Sequence, residues 1–223
     1  MEEKIFRLLS EEIKKLSLSP ENQLNETKIQ LLTQYITQLN KWNQAYNLTA
    51  VRHPEEMVQK HIIDSLCILP YLSEALEQQK QPSLIDIGSG AGLPGIPLAI
   101  ARPEWGVTLV DSNRKKTGFL NNIKQQLELE KVVVINTRAE NINQVFDVIV
   151  CRAFASLKDI VELTKNLWHE KTMLWAMKGK YPVEELRQLP KSYRVSATYR
   201  LDVPGEEADR HLLKITQEPI SKL

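Results

Sequence analysis

Only two cysteines, Cys67 and Cys151, occur in the 223-residue chain, in no metal-ligand spacing and far below the density of a disulfide scaffold. That scarcity points to a reducing compartment, and no metal site is expected. Long apolar runs are missing too. None approaches the ~18 residues of a membrane span, so no membrane partner is expected. Neither sign of charge dominates: 29 basic and 28 acidic residues leave a net charge of +1. A dedicated non-specific nucleic-acid binder is usually far more basic, so any contact with RNA or DNA must use a local patch. The N-terminal Met1-Glu2-Glu3-Lys4 lacks the basic start and apolar middle of a secretory signal. Without that signal, the glycosylation sequons Asn25-Glu26-Thr27 and Asn47-Leu48-Thr49 read as chance matches. The terminal Ser221-Lys222-Leu223 matches a peroxisomal address over three residues only, and a cytoplasmic location is expected.

What is present fits one large globular domain with an extension, at 42% hydrophobic and 26% charged residues. Residues 1–80 read as a helical extension. Ile5, Leu8, Leu9, Ile13 and Leu16 recur at helical spacing. Ser19-Pro20-Glu21 then carries a capping hydroxyl, a proline and an acid, the signature of a helix start. The helix it opens carries Leu24, Leu32, Tyr35, Ile36, Leu39 and Trp42 on one stripe. A third helix is expected from about Pro54 to Leu69, before Pro70. From residue 81 to 223 short apolar runs alternate with helical segments. Strands are expected at Leu84–Ile87, Val107–Val110, Val132–Ile135, Phe146–Val150 and Met173–Met177. Helices are expected at Ile96–Ala101, Arg114–Leu129, Leu157–Trp168 and Val183–Gln188. Such alternation argues for an α/β fold with an open, mostly parallel sheet covered on both faces. Tyr193–Leu201 and His211–Thr216 read as a further antiparallel pair. No internal repeat is found.

The first strand runs into Asp86-Ile87-Gly88-Ser89-Gly90-Ala91-Gly92-Leu93-Pro94-Gly95. Residues 90–95 fit the dinucleotide pattern G-x-G-x-x-G, while residues 86–92 fit the glycine loop of enzymes that use S-adenosylmethionine. Asp111, closing the second strand, is placed to accept from ribose hydroxyls and serves either cofactor. Other features separate them. Gly90 comes two residues too late for the dinucleotide register, and Pro94 and Pro97 remove N–H groups that a pyrophosphate would need. S-adenosylmethionine has no pyrophosphate and carries an ammonium and a sulfonium, for which Asp86 is electrostatically suited. Gly88, Gly90, Gly92 and Asp111 are therefore candidate cofactor-binding residues, with Ala139 and Glu140 of the next loop bordering the adenine.

The fourth strand leads to Cys151-Arg152-Ala153-Phe154-Ala155-Ser156, where the reaction centre of such a fold is expected. The Asn/Asp-Pro-Pro-aromatic motif of exocyclic-amine methylation is missing. Cys151 follows Val150 rather than the proline frequent before a nucleophilic cysteine, and reads as a packed small residue. No His/Asp pair is poised as acid and base. That suits attack by an atom with a free lone pair and no proton to lose, such as guanine N7.

The stretches "DIGSGAGLPGIPLAI", "LVDSNRKKTGFL", "RAE" at 138–140, "CRAFASL" and "MKG", with "KWNQAYNLTAVR" and "KHIIDSL" upstream, resemble the glucose-inhibited division protein B family. These are 16S ribosomal RNA guanine-N7 methyltransferases, and the resemblance covers roughly residues 35–180. It implies a Rossmann-like class I methyltransferase fold and S-adenosylmethionine contacts from Gly88, Leu93, Ala139, Glu140 and Arg152. It implies as partner the small ribosomal subunit. Arg152 and Lys178 are expected to position the base and manage charge, with Phe154 as a stacking platform. The basic cluster Arg114, Lys115 and Lys116 is expected to meet phosphates, and His61 and Asp64 to border the RNA cleft. Each of these also reads as a solvated or internally bonded helix residue. Tyr46 and Trp42 are candidates for base stacking, Trp42 more naturally as core. Two other readings stay open: an NAD-linked oxidoreductase, and a non-catalytic module assisting ribosome assembly. A monomer is expected. Gly118 departs from the pattern, an interior helix glycine that costs roughly 1 kcal/mol.

Overall fold

The computed structural model describes residues 1–153, 155–206 and 208–218. Seven strands, β1 (Ser83–Ile87), β2 (Gly106–Val110), β3 (Val132–Ile135), β4 (Val148–Arg152), β5 (Met173–Lys178), β6 (Tyr193–Arg200) and β7 (His211–Gln217), form one sheet. Their order is β3-β2-β1-β4-β5-β7-β6. The first five run parallel, and β7 enters antiparallel between β5 and β6. The chain order reverses between β1 and β4, the switch point where open α/β sheets bind ligands beyond their carboxyl ends.

The fourth strand lies two residues further along than its apolar run suggests. Phe146 donates its N–H to the Leu167 carbonyl at 3.0 Å, and the Asp147 carboxylate accepts from Ser83 N–H and Oγ. These contacts hold Phe146 and Asp147 ahead of the strand. Pairing with β5 then continues through Cys151 opposite Ala176 and Arg152 opposite Met177. Arg152 is therefore the end of a strand, not part of a loop.

Helices α6 (Gly95–Ala101) and α7 (Arg114–Gln126) cover one face of the sheet, and α8 (Leu157–Leu163) covers the other. A short α9 (Val183–Arg187) follows β5. The N-terminal helices α1 (Glu2–Lys15), α2 (Glu26–Tyr46), α3 (Pro54–Met57), α4 (Asp64–Leu66) and α5 (Leu69–Leu76) lie on the α6–α7 side. They share with it one hydrophobic cluster running from Ile5 to Leu212. Strand alternation assigns side chains to faces. Leu84, Val148 and Val150 face this cluster, whereas Ile85, Ile149 and Cys151 face the α8 layer.

Two helix starts differ from the sequence reading. Ser19-Pro20-Glu21 opens only a single 3₁₀ turn, Pro20–Asn22, because Gln23 is extended. The long helix begins at Glu26, where Asn25 Oδ1 accepts the Lys28 N–H at 3.0 Å. Pro70 does not end a helix but sits in the first turn of α5, where no N–H is required. Both sequon asparagines mark helix ends: Asn25 caps the start of α2, and Asn47, at φ 50°, terminates it. Between α3 and α4, Val58–Ile63 takes π-helical winding, a distortion frequent at functional sites. No helix among the described residues is long and apolar enough to cross a membrane.

Gly118 lies on the exposed side of α7, and a Cβ added there meets nothing within 4 Å. Gly118→Ala should stabilise the protein by ~0.5–1 kcal/mol and raise the melting temperature by a few degrees, read by calorimetry. An unchanged or lowered melting temperature would contradict this account of α7.

Candidate active site

The loop after β1 turns on three glycines at positive φ, Gly88 at 69°, Gly90 at 59° and Gly92 at 93°. A Cβ at Gly92 would lie 2.5 Å from Ile96 Cγ1, and one at Gly95 would lie 2.3 Å from Leu109 Cδ2. The loop is thus pressed against α6 and β2 so closely that only glycine fits. Ser89 ties it to both strands: its hydroxyl donates to the Asp86 carbonyl at 2.8 Å and accepts the Val110 N–H at 3.0 Å. From the helical layer, the buried Tyr35 hydroxyl donates to the Ala91 carbonyl at 2.7 Å.

Beyond the carboxyl ends of β1 and β2 lies a cavity of about 500 Å³, within the range of small-molecule sites. Ile87, Gly88, Asp111, Ser112, Lys116, Thr137, Arg138, Ala139, Glu140 and Ala153 are among its walls. Asp111 Oδ2 accepts the Gly90 N–H at 3.0 Å, and Oδ1 accepts the Asn113 N–H at 2.8 Å. Each carboxylate oxygen keeps acceptor capacity, which suits a vicinal diol. Lys116 Nζ stands 3.6 Å from Oδ2.

Asp86 does not line this cavity. It is fully buried, with Oδ2 accepting the Gly95 N–H at 3.0 Å, while Oδ1 has no partner. Burial pushes its carboxyl up to about 7, partly opposed by the Gly95 hydrogen bond and the Arg152 charge. An orphaned buried carboxylate oxygen beside a glycine loop matches a cationic ligand. The same geometry counts against a pyrophosphate. Pro94 and Pro97 have no N–H, and that of Gly95 is already used.

A second cavity, of about 330 Å³, is lined by Lys60, His61, Asp64, Arg152, Ala153, Met177, Lys178, Leu201, Arg210 and His211, among others. Ala153, at φ 47°, lines both cavities, so the two are adjacent. At its floor the buried Asp64 holds two arginines. Oδ2 accepts from Arg152 Nη1 and Oδ1 from Arg210 Nε, each at 2.9 Å. Arg152 also donates to the Lys60 carbonyl at 3.1 Å. His61 Nε2 lies 2.8 Å from Thr49 Oγ1, and Nδ1 is buried without a partner. Burial, helped by the Arg152 charge, pulls His61 down to about 4, so the ring is neutral at pH 7.

The candidate residues therefore divide between two adjacent spaces. Gly88, Asp111, Lys116, Ala139 and Glu140 surround the first, and His61, Asp64, Arg152 and Lys178 the second. The Arg152 guanidinium, expected at the cofactor as well, is engaged by Asp64 and Lys60 in the second cavity. Gly90, Gly92 and Leu93 shape the loop without lining either space. Lys178 is less free than expected, since its ammonium donates to Glu185 Oε2 at 2.8 Å and to the Ala155 carbonyl at 2.7 Å. Arg114 and Lys115 begin α7, and Phe154 lies outside the described residues. Cys151 packs in the α8-side core, its thiol pushed up to about 12 by burial. Arg210 escaped the sequence reading because its partner Asp64 is 146 residues away. Tyr35 was legible only as a core position, since its helical spacing carries no sign of the Ala91 contact.

Asp86 has a raised folded pKa, so its contribution to stability is complete below pH 3.8 and is lost as the pH rises through about 7. Asp86→Asn removes that loss. Variant-minus-parent stability should climb between about pH 4 and 7, by at most ~1.4 kcal/mol per pH unit, in urea titrations. A difference independent of pH would refute this assignment.

The family model GidB, rRNA small subunit methyltransferase G, matches residues 28–213. A Ribosomal RNA small subunit methyltransferase G from Pseudomonas aeruginosa (strain LESB58) is 48% identical over 192 residues, covering 85% of this chain and 87% of the relative. One from Chromobacterium violaceum is 44% identical over 195 residues, covering 86% and 90%. Among solved structures, magnesium protoporphyrin IX methyltransferase from Synechocystis PCC 6803 with bound SAM has a TM-score of 0.56 at 13% identity, covering 88% of this chain and 99% of that chain. Ribosomal protein L11 methylase from Lactobacillus delbrueckii subsp. bulgaricus has a TM-score of 0.54 at 14% identity, covering 70% and 79%. These structural likenesses establish a methyltransferase-type fold. With 44–48% identity across most of both chains and the match over residues 28–213, the protein belongs to the GidB family of rRNA small subunit methyltransferases G.

Proposed function

We propose that the protein transfers a methyl group from S-adenosylmethionine to N7 of a guanine in 16S ribosomal RNA of the small ribosomal subunit. The observation that carries this reading is the wall residue Ala153 shared by a nucleoside-sized cavity and a second, charged cavity. When bound, S-adenosylmethionine would supply a methyl group made electrophilic by its sulfonium. Asp111 would accept the ribose hydroxyls, Ala139 and Glu140 would face the adenine, and the free Asp86 Oδ1 would meet the cationic amino-acid end. Gly88 would let the backbone approach it, on a loop shaped by Gly90, Gly92 and Leu93.

Guanine N7 offers a lone pair and has no proton to surrender, so the second cavity needs alignment and charge control rather than a base. Its groups match that demand. His61 stays neutral, Lys178 is engaged by Glu185, and Asp64 fixes the two arginines in one geometry. Arg152, at the end of β4 and next to Ala153, is the group best placed to orient the base. Arg114, Lys115 and Lys116 would meet phosphates at the rim. One chain supplies every residue this reading uses, so a monomer suffices. The NAD-linked alternative is not favoured, because the α6 N-terminus has no N–H to offer a pyrophosphate. Nor is the non-catalytic alternative, since the family is one of methyltransferases.

Arg152→Ala should lower methyl transfer to small subunits at least ~100-fold while the melting temperature falls by only a few degrees. Labelled-methyl incorporation and calorimetry measure the two. Equal activity in a stably folded variant would remove Arg152 from the mechanism. Asp86→Asn should weaken S-adenosylmethionine binding at least ~10-fold in titration calorimetry, through loss of one buried charge opposite a cation. Tight NAD binding by the parent, with no response to S-adenosylmethionine, would overturn the proposal as a whole.

A further inference from the structure

One exposed aromatic that the sequence suggests for base stacking has no part in the proposed transfer step. Tyr46 is the last residue of α2 and stays 45% exposed. Its ring is backed by Trp42, with centroids 5.3 Å apart, and Trp42 in turn lies 5.5 Å from the buried Phe119 of α7. The platform is therefore anchored in the core while its outer part meets solvent. Lys115 Nζ stands 6.0 Å from the Tyr46 centroid, within cation–π range. Among the described residues Lys115 forms no ion pair, unlike its neighbour Lys116, which faces Asp111.

Position gives this pair its meaning. On one side, Lys116 lines the proposed cofactor cavity. On the other, Asn47 turns the chain to Thr49, whose hydroxyl lies 2.8 Å from His61 Nε2 in the second cavity. Tyr46 thus lies on the surface against Lys115, whose chain neighbour lines the first space, and three residues before Thr49, which touches the wall of the second. A guanine presented to that second cavity must leave its stack, which uncovers the face of an adjacent base. A rigid aromatic with an unpaired cation beside it is the combination that binds single-stranded nucleic acid.

Building on the RNA methyltransferase reading, we infer that Tyr46 and Lys115 form a binding subsite for an unpaired nucleotide next to the target guanine. The base stacks on Tyr46, and the Lys115 ammonium, moving off the ring, meets the phosphate.

Steady-state methylation of small subunits purified from a strain lacking the modification tests this, using Tyr46→Ala, Tyr46→Leu, Tyr46→Phe and Lys115→Ala. Tyr46→Ala and Tyr46→Leu should raise KM for the subunit by about 5- to 100-fold, with kcat and S-adenosylmethionine affinity nearly unchanged. Tyr46→Phe, which keeps the π-face, should restore KM to within about threefold of the parent. Lys115→Ala should reduce the slope of log affinity against log salt by about one. The inference falls if Tyr46→Leu matches the parent in KM, if Phe rescues no better than Leu, or if cofactor affinity drops in parallel. A parent protein that binds S-adenosylmethionine but modifies no ribosomal RNA would overturn the underlying reading, and the inference with it.

Discussion

The buried carboxylate of Asp86 is the constraint around which the site is arranged. A carboxylate without water is costly unless hydrogen-bonded, and Asp86 has one donor, the Gly95 N–H at 3.0 Å. That bond requires Gly95 to come so close to β1 that no side chain fits. The glycine loop is held from above in the same way, by Tyr35 on the Ala91 carbonyl and by Ser89 between β1 and β2. One carboxylate oxygen remains unsatisfied, so the loop is rigid yet electrostatically incomplete. A cationic ligand would complete it.

The second cavity repeats this logic with the charges reversed. Asp64 lies at the start of α4, next to the π-wound segment, and reaches Arg152 from β4 and Arg210 from just before β7. One acid thereby locks together three remote parts of the chain. Two guanidinium groups pinned by a single buried carboxylate leave a net positive floor, suited to an electron-rich base and its phosphates. Because Ala153 belongs to both cavities, the two charge systems act on adjacent space, and Asp86 and Arg152 sense each other electrostatically.

Much of this architecture was legible in the chain itself. The strand–helix alternation, the glycine loop and the acid that follows β2 come from local patterns, and the loop and the acid lie where those patterns indicate. Where the reading slipped, a distant contact was responsible. Phe146 heads an apolar run interrupted only by Asp147, yet contacts with Leu167 and Ser83 hold both residues ahead of β4. Ser19-Pro20-Glu21 has the chemistry of a helix start, yet the chain extends at Gln23 and begins its helix at Asn25. Lys178 reads as a free cation until Glu185 is folded against it.

Fold class, family resemblance and the residues of the glycine loop were already written in the chain, since periodicity, glycine torsion and motif spacing are local properties. Folding was needed to bury Asp86 beneath the loop and to make Arg152 the end of a strand. The same holds for the pairing of Arg210 with Asp64 and for the meeting of the two cavities at Ala153. Those outcomes depend on which groups lose water together when segments up to 146 residues apart pack against each other. Burial and charge pairing are properties of that packing, and no local stretch of sequence carries them.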